Sequence, residues 1–181
     1  MNIIIFGAQG SGKSTVGKYI AEKLNIPFIA TGDIFRELRG KDSNLGRSVR
    51  RLYDAGNMIP DDLTMEIVNK RINEKDAEGG FVLDGAPRNL SQEKLLNREP
   101  DLLIMVILGK NEAIKRLLDR GRIDDTPEVI RTRLGWYKEK VKPVINYYRQ
   151  KGVRLIKIDN TPPEDTVKEN LDDLLKELKR N

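Results

Sequence analysis

The stretch GAQGSGKS, Gly7 to Ser14, constrains the fold more than any other part of the chain. It satisfies G-x-x-x-x-G-K-[ST], and its surroundings suit that motif: Ile3-Ile4-Ile5-Phe6 before it reads as a fully buried strand, and Lys13 to Leu24 after it as a helix. Glycines in such a loop let backbone N–H groups converge on phosphate oxygens, helped by the positive end of the helix dipole. Lys13 is placed to reach the β- and γ-phosphates, and the Ser14 hydroxyl to face Mg²⁺ directly or through water. The expected ligand is a nucleoside triphosphate. Asp84 ends the apolar run FVLD, and a carboxylate there can hold magnesium or its water shell, or instead cap the following turn.

Short apolar runs alternate with amphipathic segments along the rest of the chain. Pro27 to Ala30, Phe81 to Leu83, Leu102 to Leu108 and Val153 to Ile158 read as four further strands. Continuous β-branched runs of this kind indicate parallel strands buried on both faces. Three helical pieces, roughly 33–40, 45–55 and 61–76, lie between the second and third strands, far more than a crossover requires. A further helix starts at Thr126-Pro127-Glu128, with cap, proline and acid in order, and runs to about Gln150 with a bend near Pro143; a last one spans about Pro163 to Lys179. The expected fold is α/β, of the P-loop NTPase three-layer type, with a five-stranded parallel sheet, helices on both faces and a small helical insertion.

Composition mainly excludes. With 181 residues the chain is expected to form one domain. It has no cysteine and no histidine, so disulfides, Cys/His zinc sites and histidine general-base chemistry are ruled out. No apolar run approaches the roughly 20 residues of a membrane span, and MNIIIFG is too short for a signal peptide, so a cytoplasmic protein without membrane partners is expected. The net charge of +5 fits any anionic partner, polynucleotide or nucleotide.

Further motifs occur in a fixed order: ATGDIFRE (Ala30 to Glu37), GNMIPDD (Gly56 to Asp62), LDGAPRNLSQ (Leu83 to Gln92), then GRIDD, RTRL and PVINYY. With the phosphate loop, they make the chain resemble the nucleoside monophosphate kinases, and among them the adenylate kinases, over essentially its whole length. The resemblance implies Mg²⁺-dependent, reversible transfer of the γ-phosphoryl group of ATP to AMP, giving two ADP, by a monomer with no nucleic-acid partner and no zinc. It implies a core of 1–30, 61–120 and 122–181, with a monophosphate-binding insertion at about 31–60. Gly10, Ser11, Gly12, Lys13, Ser14, Thr15, Arg116, Thr161 and Pro162 are then expected at ATP. Thr31, Gly32, Arg36, Asn57, Met58, Ile59, Gly85, Arg88, Gln92, Arg122 and Arg133 are expected at AMP, and Ser14 and Asp84 at the metal.

Several of these choices make physical sense. Arg36 and Arg88 can each fork onto a dianionic phosphate, and the Gln92 amide offers both a donor and an acceptor to an adenine edge. Read singly, Arg36 could be a surface arginine, Thr31 a helix cap and Gln92 part of a solvated helix face. In the uridylate/cytidylate branch, alanine and asparagine typically stand at the positions of Thr31 and Gln92, so these two residues favour AMP. Asn89 after Pro87-Arg88 looks more like that other branch and keeps UMP or CMP open as acceptor.

RLLDRGRIDDTPEVIRTRL, residues 116 to 134, holds five arginines. A polynucleotide stripe, a solvated helix face and a phosphate clamp are all consistent with that density. By resemblance, Arg116 lies against the adenine of ATP, while Arg120, Arg122 and Arg133 join Lys13 and Arg88 as the catalytic charges. Arg131, two residues from Arg133, points elsewhere on a helix. Asp124 and Asp125 are suited to holding neighbouring arginines in fixed rotamers. Only Gly121 separates Arg120 from Arg122, where relatives insert a mobile lid, so the lid is expected to be reduced to about 120–124. Closure of the 31–60 insertion would then be the main substrate-driven motion. Gln9, Ser14 and Ala86 also depart from the family, which usually has proline, glycine and phenylalanine at these places.

Overall fold

A computed structural model describes residues 1–54, 59–120, 135 and 137–178. Five parallel strands form one sheet: β1 (Asn2–Gly7), β2 (Phe28–Ala30), β3 (Phe81–Asp84), β4 (Leu102–Ile107) and β5 (Arg154–Asp159). Their order across the sheet is β2-β3-β1-β4-β5. After β1 the chain crosses to the β2 edge, and after β3 it crosses to the other side of β1. The connections therefore diverge around the central strand, and in open parallel sheets ligands bind at the carboxyl ends beside such a switch point.

The helices are α1 (Lys13–Leu24), α2 (Thr31–Gly40), α3 (Asn44–Asp54), α4 (Asp61–Ile72), α5 (Leu90–Leu95), α6 (Lys110–Arg120), α7 (Lys142–Gln150) and α8 (Glu164–Leu178). Alternation along β1 divides the core. Ile3 and Ile5 pack with Val16 and Ile20 of α1 and with Val167, Leu171 and Leu175 of α8. Ile4 and Phe6 face the opposite way, onto Met65, Val68 and Ile72 of α4 and Val144, Ile145 and Tyr148 of α7. Both faces are covered, which is why the inner strands β1, β3 and β4 read as apolar runs rather than as alternating ones, whereas the edge strand β5 carries Arg154 and Lys157.

The five expected strands and α1 are present. The second strand begins one residue later, because Pro27 has no N–H to give the ladder, and the fourth ends at Ile107. The third helical piece stops at Ile72 instead of continuing to 76, and a separate 3-10 turn follows at Lys75–Ala77. A π-helical turn, Tyr137–Val141, leads into α7, so the helical path is interrupted just ahead of Pro143. The start of that segment at Thr126 lies outside the described residues. Helices α5 and α6 were not delimited from the sequence, which offered helix at Gln92 and in the arginine stretch only as an alternative reading. The first is a single capped turn and a half, and the second has a highly charged sequence.

α2 touches the core through Ile34, which packs against the cluster on the α4 and α7 side, whereas no described α3 residue belongs to either cluster. Val49 of α3 is 0% exposed yet belongs to neither. Arg50 ties the pair together by donating from Nε to the Arg39 carbonyl at 2.9 Å.

Candidate active site

The loop Gly7 to Lys13 joins β1 to α1 at the carboxyl edge of the sheet. Gly10 and Gly12 sit at φ 82° and 83°, the left-handed region that glycine enters without penalty. A Cβ at Gly10 would also lie 2.5 Å from the Ala113 carbonyl, and one at Gly12 would strike the Asn160 amide. Ser11 is buried, and its Oγ has no hydrogen-bond partner among the described residues. Thr15 follows on the exposed first turn of α1.

Strand pairing brings β3 into this loop. Ile5 of β1 is in register with Asp84, the last residue of β3. The Ser14 hydroxyl donates to Asp84 Oδ2 at 2.6 Å, and Lys13 Nζ lies 4.0 Å from Asp84 Oδ1. Asp84 is only 5% exposed, so its carboxylate is held by an ammonium and a hydroxyl rather than by water. A hydroxyl and a carboxylate oxygen at the base of a phosphate loop form the hard, oxygen-only donor set that suits Mg²⁺. Among the described residues, no cluster of three or more His, Cys, Asp or Glu side chains could hold a metal by itself.

Beyond Asp84 the chain turns sharply through Gly85, at φ 94°, and a cis peptide joins Ala86 to Pro87. A side chain at Gly85 would collide with the Thr31 hydroxyl and come within 3.3 Å of Arg88 Nη2. Thr31, Gly85 and Arg88 are therefore neighbours. Thr31 is 2% exposed and is the first residue of α2, whose N-cap is Ala30, so it does not cap the helix. Arg88 donates from Nε to the Gly85 carbonyl at 2.7 Å. Arg36 remains half-exposed and ion-pairs with Asp33 one turn away, close to Gly32.

Gln92 is buried, at 5% exposure, which removes the solvated-face reading. Its Oε1 accepts from the Arg88 backbone N–H at 2.7 Å, and its Nε2 donates to Asp61 Oδ1 at 2.7 Å. Asn89 caps α5 through Oδ1 and donates from Nδ2 to Asp61 Oδ2 at 2.9 Å. Asp61 was missed in the sequence. It stands in the first turn of α4 after Pro60, where an acid has an ordinary helix-dipole explanation, and no local spacing links it to residues 89 and 92.

On the other flank, Arg116 of α6 donates from Nε to Glu112 at 3.0 Å and from Nη2 to the Asn160 carbonyl at 3.3 Å. Asn160 Nδ2 in turn donates to the Ser11 carbonyl at 2.8 Å, so the turn after β5 is sewn to the phosphate loop. Next to it the Thr161 N–H donates to Asp159 Oδ1 at 2.9 Å. Hydrogen bonds from Thr161, the side chain's foremost, hold Asp159 below the usual carboxylate range. Half-buried Pro162 follows. Asn160 is a second omission of the sequence reading, for only the strand order reveals that the end of β5 approaches the loop after β1.

Arg120 ends α6, but its side chain is outside the described residues, as are Asn57 and Met58 and the segment with Arg122, Asp124, Asp125, Arg131 and Arg133. Half-buried Ile59 is described, and its carbonyl accepts from the Thr64 hydroxyl at 3.4 Å.

Comparison with known proteins fits this arrangement. A family model described as adenylate kinase matches residues 5–153, the greater part of the chain. The chain belongs to the adenylate kinase family. Curated relatives named adenylate kinase match most of its length. That of Corynebacterium aurimucosum is 41% identical over 91% of this chain and 94% of the relative. Those of Nocardia farcinica, 39% identical over 82% and 86%, and Cyanothece sp., 37% identical over 98% and 96%, are similar. No described helix of this family member is long and apolar enough to cross a membrane.

Proposed function

We propose that the chain is an ATP:AMP phosphotransferase, moving the γ-phosphoryl group of ATP reversibly to AMP with Mg²⁺ as part of the nucleotide substrate, and that it acts as a cytoplasmic monomer. The observation carrying this reading is the junction of two ligand-binding elements at the β1 and β3 carboxyl ends. The phosphate loop with Lys13, Ser14 and Asp84 stands on one side, and Thr31, Gly85 and Arg88 stand directly beside it.

In this proposal Gly10 to Thr15 wrap the triphosphate, Lys13 neutralises the β- and γ-oxygens, and Arg116 faces the base of ATP beside Thr161 and Pro162. Ser14 and Asp84 hold Mg²⁺ or its waters, and the ion supplies charge neutralisation across the β- and γ-phosphates. Arg36 and Arg88 orient the acceptor phosphate, while Thr31, Gly32, Ile59, Gly85 and Gln92, with Asn57 and Met58, line the adenosine. Arg120, Arg122 and Arg133 complete the positive charge at the transferring group. Phosphoryl transfer needs little covalent help from protein groups, only in-line positioning and positive charge over the equatorial oxygens, so a site without histidine is sufficient.

The shortened lid leaves water exclusion to the α2–α3 insertion; that α3 lies outside both core clusters and is tied to α2 by Arg50 supports a unit able to close on the acceptor. An insertion already closed in the nucleotide-free protein in solution would remove that part of the proposal. The activity is tested by ATP-dependent phosphorylation of AMP, CMP, UMP and GMP, each with Mg²⁺ and with EDTA. AMP is expected to be the best acceptor and EDTA to abolish turnover. CMP or UMP turnover above that of AMP would overturn the acceptor, and inactivity with every monophosphate would overturn the enzyme.

A further inference from the structure

We propose that Asp61 is a specificity-determining positioning residue, locking the Gln92 amide in the single orientation that accepts an adenine edge and refuses a 6-oxopurine. The inference rests on the reading of AMP as acceptor and on Gln92 as its base contact.

A carboxamide is nearly symmetric in shape, and a half-turn about its last bond exchanges donor and acceptor. Recognition therefore requires that the flip be prevented. Here it is prevented twice. The Arg88 N–H can only donate, and it takes Oε1 at 2.7 Å; the Asp61 carboxylate can only accept, and it takes Nε2 at 2.7 Å. A flipped amide would set Nε2 against an N–H and Oε1 against a carboxylate oxygen. Gln92 is 5% exposed, so water could not compensate for either clash.

The second carboxylate oxygen extends the lock. Asp61 Oδ2 accepts from Asn89 Nδ2 at 2.9 Å, which turns Asn89 Oδ1 onto the Gln92 backbone N–H at 2.8 Å. One carboxylate on α4 thus fixes two amides at the start of α5. The fixed Gln92 amide keeps one further lone pair on Oε1 and one further N–H on Nε2. Adenine presents a donor at its 6-position and an acceptor at N1, which match that acceptor-and-donor pair. Hypoxanthine and guanine present the reverse order, so they meet acceptor with acceptor and donor with donor. Their rejection follows from unpaired buried groups rather than from size.

The test compares AMP with IMP at saturating MgATP in the wild type, Asp61→Asn, Gln92→Ala and the double variant. Asparagine preserves the shape of Asp61 but can donate as well as accept, so Gln92 gains freedom to turn. Asp61→Asn is expected to raise the KM for AMP about tenfold with kcat within about twofold. The IMP-to-AMP ratio of kcat/KM should rise about tenfold or more, and the KM for ATP should not move. In the Gln92→Ala background the same substitution should leave that ratio unchanged, which a merely structural role for Asp61 does not predict.

An unchanged ratio in Asp61→Asn, or an equal change in both backgrounds, would overturn the lock. A wild type that does not phosphorylate AMP would instead overturn the acceptor reading on which it rests. Should Asp61→Asn not fold, the Gln92 side-chain ¹⁵N–¹H signals of the wild type decide. One Nε2 proton should be held downfield with or without nucleotide, and the other should shift when AMP is added. Two protons that both ignore AMP would sink the proposal.

Discussion

The Ser14 hydroxyl donates to Asp84 Oδ2 at 2.6 Å, coupling the first turn of α1 to the last residue of β3. The two residues are seventy positions apart in sequence and meet because Ile5 and Asp84 share a register in the sheet. Asp84→Asn keeps the shape but removes the charge facing Lys13 and any metal. Its kcat is expected to fall by about 10²–10³, as for removal of one preorganised electrostatic group, and the Mg²⁺ concentration for half-maximal rate should rise. Rates across an Mg²⁺ titration check this, and a loss below about threefold would assign Asp84 to turn capping alone.

Arg116 offers a separate test of the proposed ATP contacts. Glu112 and the Asn160 carbonyl hold its guanidinium beside the phosphate loop. Lysine keeps the charge but cannot stack a plane on a base. Arg116→Lys should therefore raise the KM for ATP about fivefold and leave that for AMP unchanged. Equal effects on both substrates, measured by initial rates, would show that Arg116 does not distinguish the two nucleotides.

Glu93 makes stability depend on pH. Burial foremost pushes its carboxyl above the usual range, with nearby Glu99 adding to this, while Lys151 and the Tyr147 hydroxyl oppose it. The folded protein therefore favours the protonated acid. The stabilisation is complete below the ordinary glutamate pKa and is lost as pH rises through the raised one. Glu93→Gln should match the wild type in melting temperature near about pH 4 and exceed it near about pH 8. Melting curves in which the two proteins diverge at low pH instead would reverse the sign.

The sheet was legible because β1 to β4 hold short apolar runs and β5 still carries Leu155, Ile156 and Ile158 between its charged residues, and the phosphate loop was legible because its glycines, Lys13 and Ser14 are contiguous. Asp84 could be named from its strand-end position alone. Asp61, Asn89 and Gln92 form one hydrogen-bonded unit that no local pattern announces, since its members come from α4 and from the N-cap and first turn of α5. Asn160 was hidden for the same reason: its contact with Ser11 exists only once β5 has been placed on the far side of β4. Arg36 and Arg88 look alike in sequence, yet one is half-exposed beside Asp33 and the other is tied to the turn at Gly85.

Arg98, in an unremarkable LNREPD segment, closes the opposite end of the sheet. Its Nη1 donates to the carbonyls of Ile72 at 2.6 Å and Ala77 at 2.8 Å, and its Nη2 to Asn2 Oδ1 at 2.9 Å. The guanidinium lies 4.9 Å from the centre of the Phe81 ring. Asn2 and Phe81 begin β1 and β3, whereas the proposed nucleotide site lies at the ends of those strands, so this arginine is separated from it by the length of the sheet. Truncation would leave several partly buried acceptors without their donor. Arg98→Ala is expected to cost about 2–4 kcal/mol and to lower the melting temperature by roughly 5–15 °C. Lysine should recover only part of this loss, because a single ammonium cannot span the acceptors that the planar fork reaches. Values of kcat and KM measured well below the melting transition should stay within about twofold of the wild type. A drop in kcat at unchanged melting temperature would mean that Arg98 serves the active site rather than the fold.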